Sequence, residues 1–144
     1  MMFTKLVEWF RTRVLLALQT TGTGAQAYLL PTAGTNAINL RAIATMGNAA
    51  DLVLSLKYAD DAAGTNAAAW PSNVPIYKDG VAQTAAKEFT IGDSSGNFVI
   101  DFCIDPATVP AGKYVGLSYA NSNAANLLVT SMIEDVMYKP TATA

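Results

Sequence analysis

"INLRAIATMGNAADLVLSLKYA", residues 38–59, alternates twice. Ile38, Leu40, Ala42, Ala44 and Met46 fall on one side of an extended chain, and after "GNA" so do Leu52, Leu54, Leu56 and Tyr58. Val53, Ser55 and Lys57 take the other side of the second run. Successive side chains on a strand point to opposite faces, so this period of two predicts two half-buried β-strands joined by a short turn.

The pattern continues in both directions. "AQAYLLP" reads as a strand stopped by Pro31. "VPIYKDGVAQT" carries Lys78-Asp79-Gly80, a hairpin signal. "KEFTIGDSSGNFVIDFCID" reads as a two-strand unit turned by "GDSSGN", with Phe98, Ile100, Phe102 and Ile104 on one face. "PATVPAG" is a rigid connector. In "KYVGLSYA" the set Val115, Leu117 and Tyr119 is expected inside, and "NLLVTSMIEDVMYK" closes the body. About nine short strands with turn signals at regular spacing predict an all-β chain, an antiparallel β-sandwich with jelly-roll-like connections. An immunoglobulin-like sandwich is the alternative, and the chain lacks its Cys…Trp…Cys spacing.

The opening "RTRVLLALQTTGTGAQA", residues 11–27, has to be placed as well. Arginines before an apolar run and Ala25-Gln26-Ala27 resemble a secretory cleavage site. "VLLAL" is shorter than the roughly 7–15 apolar residues such a segment uses, so residues 13–20 are expected to be a strand instead. Phe3, Leu6, Val7 and Phe10 stand at one-face helical spacing. The expected organisation is an N-terminal arm or helix over 1–12, a sandwich over 13–139 and a tail over 140–144. Two echoes recur: "AGTNA" at 33–37 and 63–67, and "GNAADLV" at 47–53 beside "SNAANLL" at 122–128. The second pair joins strand to strand in both copies. A duplicated hairpin or reused turn chemistry would give this, and the second is favoured, since Asn and Asp suit turns and caps.

Composition narrows the function. Of the 144 residues, 51% are apolar and 14% charged, against about 25% charged in an ordinary domain. Such a surface suits a protein that lies against other protein. The net charge is −2, and the only basic cluster is Lys5, Arg11 and Arg13. Nucleic acid is therefore not an expected partner. No run of about eighteen apolar residues occurs, so a membrane is not expected either. The chain has no histidine, which removes the commonest general base and metal ligand. Its one cysteine, Cys103, reads as a buried structural thiol. Asp60, Asp61 with Asn66 are the nearest approach to a calcium loop, without the EF-hand pattern. "GTGAQ" lacks the Lys-Ser/Thr of a phosphate loop. The scattered carboxylates read as solvated turn residues. No catalytic residue, metal or cofactor is expected, and the chain is not expected to be an enzyme.

Taken together, "NAADLVLSLKYADDAAGTN", "FTIGDSSGNFVIDFCID", "VPAGKYVGLSYANSNAANL" and the "DVMYKPTATA" tail resemble small virion proteins of tailed bacteriophages, the capsid decoration or cement class. The resemblance covers most of residues 13–144 and is one of texture: strand, Asn/Gly turn, strand. It implies β-rich lobes, often homotrimeric, that are made in the host cytoplasm and sit on the capsid surface against the major capsid protein, without catalysis. "MMFTKLVEWFRTR" has no counterpart in that pattern. Its Phe3, Leu6, Trp9 and Phe10 are expected to bind the capsid as an apolar arm. Trp70, beside a proline on the long loop "DDAAGTNAAAWPSN", is read as a partner-contact residue or as the plug that folds the loop back on the sandwich, and is named as the partner contact to test. The alternative function is a fibre or head-surface adhesion module that binds a host glycan through the Trp70 loop and the turn Asp93–Asn97.

Overall fold

The alternating runs become eleven strands in two antiparallel sheets that pack as a sandwich. The computed structural model describes residues 9–21, 26–120 and 123–136. The strands are β1 (Phe10–Thr20), β2 (Tyr28–Leu29), β3 (Ile38–Gly47), β4 (Leu52–Ala59), β5 (Ala68–Ala69), β6 (Ile76–Lys78), β7 (Val81–Ala82), β8 (Glu88–Ile91), β9 (Ser95–Ile104), β10 (Tyr114–Ala120) and β11 (Leu127–Asp135). One sheet has the order β1-β11-β3-β9-β6-β7. The other runs β2-β10-β4, with β5 and β8 sharing the remaining edge of β4. Among these strands, every connection crosses from one sheet to the other except β4–β5 and β6–β7.

The core forms where the alternation points. All five inward residues of β3 are buried, as are Leu52, Leu54 and Leu56, then Ile100, Phe102 and Ile104, then Val115, Leu117 and Tyr119. Leu128 and Met132 of β11 complete it. Each of the larger side chains among them contributes roughly 1.5–3 kcal/mol by leaving water.

Turn chemistry fixes the registers. Asp79 and Gly80 both have positive φ (49° and 83°), the conformation of the type I′ turn that "KDG" predicts between β6 and β7. The echo segments meet in space. Each carries the chain from one sheet to the other, and Asn126 is buried between them. Its Oδ1 accepts from the Gly47 N–H at 3.0 Å and its Nδ2 donates to the Ala50 carbonyl at 3.2 Å. A Cβ on Gly47 would lie 2.3 Å from the Ala125 carbonyl oxygen, so the crossovers touch backbone to backbone.

Three expectations need correction here. Residues 10–12, assigned to an arm or helix, are strand: Phe10, Arg11 and Thr12 pair with Asp135, Glu134 and Ile133, because β11 is long enough to offer them partners. "KEFTIGDSSGNFVIDFCID" is no hairpin. β8 pairs with β4 and β9 with β3, since Ile91 turns into the core from one sheet and Ile100 from the other. Glu134 is not a solvated carboxylate. It is fully buried at the end of the sandwich, where Arg13 Nη2 donates to its Oε1 at 2.9 Å and the Thr32 hydroxyl donates to the same oxygen at 2.9 Å. Phe3, Leu6 and the tail 140–144 lie outside the described residues.

Candidate functional site

The two sheets present unlike faces to their surroundings. Outward positions of the smaller sheet mix polar residues with half-buried or small apolar ones: Ser55 donates to Glu88 across the β4–β8 pair at 2.9 Å, Lys57 and Ser118 share that side, and Val53, Tyr114 and Gly116 stand among them. Part of it is covered. Tyr28 lies over Gly116, where a Cβ would come within 2.7 Å of its ring, and Gly64 of the 60–67 loop closes on the ring from the other side. Gly64 has φ of +89°, so the loop's close approach uses both the missing side chain and the left-handed backbone. Burial raises the Tyr28 phenol above its ordinary value.

The six-stranded sheet is the opposite case. Its outward rows read Thr12–Ile133–Asn39–Cys103, then Val14–Ser131–Arg41–Asp101–Tyr77, then Val129–Ile43–Val99. Val14 is 61% exposed, Ile43 42%, Tyr77 37% and Leu127 36%. Among the described residues, no outward position of the smaller sheet's strands carries a comparably exposed large apolar side chain. One ion pair stands in the middle of this apolar field. Arg41 Nε donates to Asp101 Oδ1 at 2.8 Å and Nη2 donates to Oδ2 at 3.3 Å, with Asn39 Nδ2 on Oδ1 at 3.0 Å. The hydrogen bond to Asp101 is the main reason the Arg41 pKa rises. Next to the pair, Phe10, Asn39, Pro75, Cys103 and Ile133 line an open apolar depression. Burial, and then the charge of Asp101, push the Cys103 thiol up, which keeps it protonated and a poor nucleophile.

Of the residues singled out in the sequence, Trp9 and Phe10 are together at one corner of this sheet, 38% and 44% exposed. The Trp9 carbonyl accepts from the Val136 N–H at 2.9 Å, so the first and last described residues meet at that corner. Trp70 is elsewhere and corrects the expectation of a partner contact: it is wholly buried in the core, edge-on to Tyr58 with ring centroids 6.1 Å apart. The flanking Ala68 and Ala69 pair with β4 as β5, and these small residues let the loop lie flat so that the indole reaches between the sheets. The turn at Asp93–Asn97 is also engaged. The Asp93 N–H donates to Asp51 at 2.7 Å, and Asn97 sits in β9 accepting from Thr45 at 2.7 Å.

The loop carboxylates are held by their own surroundings. Asp61 accepts from the Ala63 and Thr65 N–H groups at 3.0 and 3.1 Å and from the Thr65 hydroxyl at 2.7 Å. Asp60 accepts from Asn66 at 2.7 Å and pairs with Lys113. These bonds, the Thr65 hydroxyl first for Asp61 and Lys113 first for Asp60, hold both carboxyls below the usual carboxylate range. Among the described residues no group of three metal-ligating side chains converges, and no helix is long and apolar enough to cross a membrane.

The apolar outer face is what the sequence reading missed. Its signal was present: "AINLRAIATM" and "NLLVTSMIED" carry Ile43, Leu127, Val129 and Ile133 at the positions between their core residues. A strand apolar on both sides is one that expects cover on both. No protein-family model and no curated protein matches this chain.

Proposed function

We propose that this chain is a structural protein that works by protein–protein contact, and that it decorates and stabilises a bacteriophage capsid by binding between major capsid subunits. The observation that carries the reading is the contrast between the two outer faces. A sheet face with several exposed large apolar side chains, on a sandwich whose other described strands show none so exposed, marks a surface made for protein. Two further features support it. With the short β5, β6 and β7 set aside, we read the strand order as first-eighth-third-sixth over second-seventh-fourth-fifth, a jelly roll, an architecture common among viral capsid proteins. The fold alone does not fix the function, since lectins share it. The carboxylates most available for chemistry are tied into loop and sheet hydrogen bonds, which favours a structural role over a catalytic one.

The capsid-facing element in this reading is the corner where Trp9 and Phe10 stand exposed, together with the apolar residues that precede them. The glycan-binding alternative loses its aromatic anchor, because Trp70 is in the core. The test is rebinding of purified chain to capsids stripped of it. Full-length protein is expected to rebind. A Trp9→Ser/Phe10→Ser variant, which leaves the core untouched, is expected to rebind at clearly lower occupancy. Failure of the full-length chain to bind capsids overturns the reading; equal binding by the variant moves the contact away from this corner.

A further inference from the structure

We infer that the outer face of the six-stranded sheet is a self-complementary interface whose occupant is a second copy of this chain. The inference does not rest on the capsid reading. Size comes first. Four long strands and the short β6, each about 4.8 Å wide and rising about 3.3 Å per residue, give a face on the order of 600 Å² with the Trp9–Phe10 corner left free. That reaches the low end of the roughly 600–1,000 Å² each partner contributes to a stable complex.

Charge selects the partner. The middle of the face holds one cation and one anion side by side, Arg41 and Asp101, among Val14, Ile43, Tyr77 and Val129, while Asp135 is a further acid at the β11 end. At its centre such a surface has no net charge to repel its own copy. Under a two-fold axis passing beside the pair, each guanidinium faces the other copy's Asp101. Arg41 meets its own Asp101 through Nε and Nη2, which leaves Nη1 to donate across the axis. An isologous contact needs this arrangement, in which one patch carries both halves of the complement. The product is a two-fold pair, not the trimer that the resemblance implies.

The test is sedimentation of the full chain over a range of concentrations, with folding of each variant checked by circular dichroism. The wild type is expected to dimerise. Ile43→Glu, at an outward and exposed position, is expected to raise the dimer dissociation constant by about tenfold or more. Val129→Lys on the neighbouring strand serves the same purpose if the first variant folds poorly. The decisive arm mixes two variants. Arg41→Asp sets two acids at the centre of the face and Asp101→Arg sets two bases there, so each alone is expected to be monomeric and their mixture to form heterodimers. A monomeric wild type overturns the inference, including the case where Ile43→Glu instead abolishes capsid binding. So does an oligomer that ignores Ile43→Glu, or a mixture that stays monomeric.

Discussion

Trp70 shows what a single residue reads like in sequence and in space. Its place in a long loop beside Pro71 made it look like a contact residue, yet it is the largest fully buried side chain. Among the described residues the indole Nε1 has no hydrogen-bond partner, so what the residue supplies is volume and edge-on contact with Tyr58. Trp70→Ala is therefore expected to destabilise the fold by about 3–5 kcal/mol. Trp70→Phe is expected to lose much less, because no bonded donor disappears with the nitrogen. Chemical denaturation of the two variants separates these outcomes, and equal losses would mean that the N–H matters. Sequence could not place Trp70, since alternation stops in the loop and nothing local says that the "AAA" before it folds back onto β4. Glu134 hid for a related reason. Its partners Arg13 and Thr32 are far away in the chain, and a carboxylate next to Asp135 at a strand end reads as solvated until those partners arrive.

At the level of elements, two glycines separate backbone demand from space. Gly80 in the β6–β7 turn has positive φ and nothing near its missing Cβ. Gly80→Ala is expected to lose about 1 kcal/mol, from backbone strain alone. Gly116 lies in β10 with ordinary backbone, but a Cβ there would meet the Ala27 carbonyl oxygen at 2.6 Å and the Tyr28 ring at 2.7 Å. Gly116→Ala is expected to lose about 2–3 kcal/mol by lifting β2 and Tyr28 off the sheet. Thermal melts of the pair check the order, and a larger loss at Gly80 would contradict it. The 60–67 loop carries a pH signature. The Asp61 carboxyl titrates below its unfolded value of about 3.9 because its ionised form accepts the loop's hydrogen bonds. That contribution is complete above the unfolded value and is lost as pH falls through the lower folded one. Hydrogen exchange at the Ala63 and Thr65 amides is expected to stay protected down to about pH 4 and to open below it. Protection indifferent to acid would mean that the loop is held by other contacts. Strands of full length were legible at this scale, because each carries several alternating residues. The pairing of β8 and β9 with different sheets was not, since "GDSSGN" suits a crossover as well as a hairpin.

For the whole molecule, sequence conveyed the class of fold and one of its two layers of meaning. The inward residues of β3, β4, β9 and β10 were readable because burial on one face is what a period of two encodes. The outward rows were not weighed. Exposed Ile43 and Val129 acquire significance only when β3 and β11 lie side by side and their outward residues form one field with Val14. The site is thus a property of the sheet order. One feature of that order bears on how the molecule takes mechanical load. Because the Trp9 carbonyl meets the Val136 N–H, β1 begins where β11 ends. Tension applied between Trp9 and Val136 would peel β1 from β11 one rung at a time, the weakest way to strain a ladder. Tension on Trp9 along the strand axis, with the body gripped by its broad face, would shear every rung together. A fastener built on this sandwich withstands force when held at Trp9 and by its broad face, and gives way when held at Trp9 and Val136.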